Sequence, residues 1–69
     1  MVHGKEKSDG DQREILFEFR PVGPQIRVAA IDAETGTEVI VIAPIGASQL
    51  DMQRVAIAKL KRKLAKDAM

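Results

Sequence analysis

The chain has 69 residues, no cysteine, one histidine, 30% charged residues and a formal net charge of +1. A chain of this length makes one small domain that buries only about 60% of its unfolded surface, and without cysteine it has neither disulfides nor thiolate metal sites to reinforce it. No apolar run approaches the roughly 20 residues that cross a bilayer, so no membrane association is expected and a second subunit is the support that remains.

Residues 1–13 (MVHGKEKSDGDQR) are polar, lack periodicity and hold the lone His3. They read as a disordered tail, and with no apolar h-region they do not resemble a signal peptide, which points to the cytoplasm. A single domain is expected over residues 14–67.

Three short runs with period-two alternation follow. Glu14–Arg20 places Ile15, Phe17 and Phe19 on one face. Pro21-Val22-Gly23-Pro24 interrupts it, Gln25–Asp32 is the second run, and Ala33-Glu34-Thr35-Gly36 turns the chain again. The third run, Thr37–Ala43, is apolar on both sides, with Val39, Val41 and Ala43 pointing one way and Ile40 and Ile42 the other. Four-residue loops at both turns would pair Arg20 with Gln25 and Asp32 with Thr37. Phe17, Val28 and Val41 then fall on one face, and a one-residue slip would scatter them. The same register sets Leu16, Ala29 and Ile40 in one row of the opposite face, with Ile31 and Ile42 beside it and Glu18 opposite Arg27.

Pro44 and Gly46 end the strand, and Ser48 with Asp51 three residues on is a helix start. From Gln49 to about Lys66, Leu50, Gln53, Ala56, Ile57, Leu60 and Leu64 form one stripe at 100° per residue, leaving Met52 and Val55 partly exposed. The expected fold is therefore α+β: a three-stranded antiparallel β-meander with one C-terminal α-helix packed on one face (βββα). One helix covers one side of a sheet. Leu16, Ala29, Ile31, Ile40 and Ile42 are left on the other side as a candidate protein interface, for a weak homodimer or another protein partner.

The helix carries the second candidate surface. Arg54, Lys59, Arg62, Lys63 and Lys66 are candidate anion or nucleic-acid contacts, with Lys61 beside them and only Asp51 and Asp67 to offset them. Late-helix cations on a solvated face complement the helix dipole. Lys59–Lys63 and Arg62–Lys66 resist this reading, being like-charge pairs one turn apart that each cost about a few tenths of a kcal/mol. Against single-strand binding, the chain has no Trp or Tyr, and both phenylalanines are on the core side. Asp32, Glu34 and Glu38 around Gly36 are too few and too close for a calcium loop, and a hairpin turn explains them. No nucleophile–base pair, Walker-type loop or HExxH motif occurs, so neither enzymatic activity nor a cofactor is expected.

The stretches L-F-E-F-R at residues 16–20, I-D-x-x-T-G-T-E-V at 31–39 and P-x-G-A-S ahead of the helix carry a resemblance. With them, the run over residues 14–64 resembles a family of small alphaproteobacterial proteins built on a domain of unknown function. The resemblance implies a bacterial cytoplasmic origin and a stand-alone domain, and it assigns no catalytic or binding residue. The sequence thus points first to a non-enzymatic interaction module using the open sheet face, with a nucleic-acid-associated protein using the basic helix as the alternative.

Overall fold

The fold begins from the turn that joins the first two alternating runs. In the computed structural model, which describes residues 2–7 as backbone and residues 14–68 in full, this turn is only two residues long. Val22 pairs with Gln25 across Gly23 and Pro24. Gly23 has φ +60°, the conformation that a type II′ hairpin demands of its first central residue, while the ring of Pro24 fixes the second. The strand β2 therefore runs over Glu14–Val22, through Pro21 rather than stopping before it, and β3 over Gln25–Asp32.

The shorter loop moves the β2–β3 register two residues from the expected one. Phe19 pairs with Val28, Phe17 with Ala30 and Ile15 with Asp32. Two residues is a whole pleat period, so the same side chains still face the core. The partners on the open face do change: Arg20, not Glu18, lies opposite Arg27, and Glu18 lies opposite Ala29.

The second hairpin follows the expected register. The Asp32 N–H donates to the Thr37 carbonyl at 2.8 Å, and β4 (Glu38–Pro44) pairs Ala30 with Val39, Val28 with Val41 and Ile26 with Ala43. Gly36, at φ +77°, supplies the left-handed residue of the turn.

The antiparallel meander β2–β3–β4 and the C-terminal helix make the expected α+β fold. A further strand, β1 (Val2–Lys7), pairs outside β2, giving the sheet order β1-β2-β3-β4. The stretch expected as a disordered tail thus contains a strand, and the rest of it, residues 1 and 8–13, lies outside the described residues. The physical reason is the open edge of β2, whose backbone groups attract a partner strand. The β1 register also sets Lys7 against Glu14, positions of opposite sign.

The helix α1 (Gln49–Asp67) is capped by Ser48, whose hydroxyl accepts from the Asp51 N–H at 3.1 Å. It lies across β3 and β4. Met52, Gln53, Ala56 and Leu60 are its buried residues, and with Ile15, Phe17, Phe19, Val28, Ala30 and Val39 the apolar ones among them close the core. The stripe is rotated from the expected one. Met52 is buried and Leu50 is 56% exposed, because the helix lies over β3 and β4 and Met52 joins the core cluster against which Val41 and Ala43 of β4 pack. Val55 stays exposed, and Ile57 and Leu64 pack at the margin.

Candidate interaction surfaces

The sheet face away from α1 is built by alternation. On β2 it takes the even-numbered residues, on β3 the odd-numbered and on β4 the even-numbered. Three cross-strand rows result: Leu16–Ile31–Glu38, Glu18–Ala29–Ile40 and Arg20–Arg27–Ile42. All five residues of the candidate protein interface share this face, on a diagonal from Leu16 to Ile42. Leu16, Ile31 and Ile40 are half-buried, Ala29 is shielded by its larger neighbours, and Ile42 is 55% exposed.

On β2, β3 and β4 the charges around the diagonal are sorted by sign, while the β1 register adds the position of Lys5 beside Leu16. Glu18 and Glu38 stand at the Leu16 end, and Arg20 and Arg27 at the Ile42 end. Both arginines and Glu38 are exposed, and Glu18 is half-exposed. The expected Glu18/Arg27 pair would have mixed the signs, and the two-residue shift of register separates them.

The basic residues of α1 divide. Lys59, Arg62, Lys63 and Lys66 gather with Asp67 and Val39 around a shallow depression of about 320 Å³ beside β4. Arg54 does not line it, being on the far flank of the helix, so the structure joins four of the five candidate anion contacts. Two of the four are engaged within the chain. The Lys59 ammonium donates to the Ile40 carbonyl at 2.6 Å, and Lys63 meets Asp67 at 3.6 Å, both being exposed contacts.

A third surface was not legible in the sequence. Beside β4, toward the start of α1, lies an almost wholly apolar groove of about 230 Å³, bordered by Val41, Ala43, Pro44, Ala47, Met52 and Val55. The exposed side chain of Val55 was its one sequence signal.

The acidic turn residues do not converge. Asp32 is fully buried on the core side, and its carboxylate accepts from the Thr35 N–H at 3.2 Å and the Thr35 hydroxyl at 2.6 Å. A hydroxyl has one proton, so the 2.8 Å contact between the Thr35 and Thr37 hydroxyls is donated by Thr37. The carboxylate is thus turned into its own hairpin, away from Glu34 and Glu38. Among the described residues no group of three or more acidic or histidine side chains is arranged to hold a metal ion, and no helix is long and apolar enough to cross a membrane.

Residues 12–67 match the model of a family described as Domain of unknown function (DUF6898). The chain belongs to this family. The match spans β2, β3, β4 and α1, with every motif that carried the resemblance. No curated protein and no solved structure matches the chain.

Proposed function

We propose that this member of the family is a non-enzymatic interaction module of the bacterial cytoplasm whose open sheet face pairs with a second copy of itself. One observation carries the reading: on β2, β3 and β4 the apolar diagonal has acid at one end and base at the other. A twofold axis lying in the face along the line from Arg20 through Ala29 to Glu38 keeps Arg20 and Glu38 on the axis, each facing its own counterpart. It sets Arg27 of each copy over Glu18 of the other, Ile40 over Ile31 and Ile42 over Leu16. That is the self-complementarity an isologous interface requires. The size of the chain supports it, since a small cysteine-free domain gains most from a partner. Full burial of an aliphatic side chain contributes roughly 1.5–3 kcal/mol, but Leu16, Ile31 and Ile40 are already half-buried and gain only part of it. Against an association cost of about 4–15 kcal/mol, the dimer is therefore weak and depends on concentration. The absence of cysteine fits a reducing compartment.

Sedimentation velocity over a wide concentration range tests the proposal. The expected result is an increase in sedimentation coefficient with concentration, abolished by Ile42→Glu without loss of helicity. A wild-type chain that stays monomeric at millimolar concentration overturns self-association.

The nucleic-acid reading rests on the gathering of Lys59, Arg62, Lys63 and Lys66. It stands second because Lys59 and Lys63 already have partners within the chain and no aromatic side chain accompanies them. It requires a mobility shift with DNA or RNA at low salt that weakens as salt is raised.

A further inference from the structure

Strand β4 closes one side of the sheet, and among the described residues no strand pairs with its outer side. Its hydrogen bonding shows which of its groups face outward. The Asp32–Thr37 and Pro24–Ile45 bonds put the odd-numbered residues of this segment in register with β3. In an antiparallel ladder bonded residues alternate with outward ones, so Glu38, Ile40, Ile42 and Pro44 turn their backbone groups away from β3. Pro44 suits an outward position because it has no N–H to leave unpaired. The Lys59 ammonium on the Ile40 carbonyl confirms the direction, and it covers one point of an edge that is otherwise open at Ile42.

The helix side of this edge has two chemistries in sequence. Toward Ala43 lies the apolar groove bordered by Val41, Met52 and Val55. Toward Val39 lies the depression ringed by Lys59, Arg62, Lys63 and Lys66. We propose that the outer edge of β4 is a strand-addition site for an extended peptide of a partner protein, with β-branched side chains for the groove and, a few residues away, carboxylates for the basic cluster. The peptide backbone pairs with Ile42 and displaces Lys59 from the Ile40 carbonyl, and the released ammonium joins the cations that meet the carboxylates. Main-chain bonds supply the common affinity of strand addition, and the pockets for alternate side chains supply its selectivity. A second copy is a poorer occupant, because edge-to-edge pairing would lay two basic helices side by side.

The site shares Ile40 and Ile42 with the open face but uses their outward backbone and does not need a second copy, so failure of self-association leaves it standing. The test is selection of binders from a displayed library of random peptides of about twelve residues against the full chain, then titration of one selected peptide followed by amide shifts. Selected sequences are expected to combine Val or Ile with Asp or Glu, with shifts at Ile40, Ile42 and Val55. Lys59→Glu with Arg62→Glu should weaken binding by about tenfold or more, and Val55→Asp should weaken it through the groove, each with unchanged far-ultraviolet circular dichroism. Failure to select any peptide, binders without acidic residues, shifts confined to Leu16 and Ile31, or affinity indifferent to both variants would overturn the proposal.

Discussion

Asp32 is the residue whose role changes most between sequence and structure. In sequence it is one acid of an acidic turn. In the fold it is fully buried at the core-facing end of β3, opposite Ile15, with Thr35 bonded to its carboxylate through both backbone and hydroxyl. The alternation that makes Val28 and Ala30 core residues makes Asp32 one as well, so its burial follows from the register. What the sequence left undetermined was that the turn would wrap the carboxylate. Asp32→Ala removes the acceptor that holds the turn and leaves the exposed Thr35 donors to water, and it is expected to lower unfolding free energy by roughly 0.5–1.5 kcal/mol in chemical denaturation. Gly23 is simpler. An added Cβ would touch nothing, yet at φ +60° an alanine is strained, so Gly23→Ala should cost about 1–2 kcal/mol without altering the packed core.

At the scale of elements, β2, β3, β4 and α1 were legible because their apolar periods are clean, whereas β1 (Val2–Lys7) has no such period and reads as tail. The β2–β3 register was not. Hydrophobic alternation distinguishes odd slips from even ones and is blind to a shift of two, so only the turn decides. There the Gly23-Pro24 pair favours a two-residue hairpin over the longer loop that two prolines suggest. The helix shows the same kind of limit. Leu50 and Met52 lie on opposite shoulders of the stripe, and which one is buried depends on the helix sitting over β3 and β4 rather than centrally. The N-terminus of α1 was readable from Ser48 with Asp51 three residues on. Ser48→Ala should cost about 0.5–2 kcal/mol, seen as a lower thermal midpoint. Leu60, fully buried under the sheet, is the residue on which helix docking most depends, and Leu60→Ala should cost about 2–5 kcal/mol by the same measurement.

For the whole molecule, the decisive property is that one helix covers one side of a sheet with apolar residues on both sides. The sequence already placed Leu16, Ala29, Ile31, Ile40 and Ile42 together. The sorting of charge around them emerges only when Arg20 is set against Arg27 and Glu18 against Ala29. That arrangement is what supports the proposed pairing of the face with a second copy. The most direct test is to exchange its charges and measure association of the two variants by sedimentation, separately and mixed. Arg20→Glu with Arg27→Glu makes the face acidic at both ends, and Glu18→Arg with Glu38→Arg makes it basic at both ends. Each variant alone is expected to be monomeric, and the equimolar mixture to associate at least as strongly as the wild type. Association of either variant alone at wild-type strength, or a mixture that remains monomeric, would contradict pairing through this face.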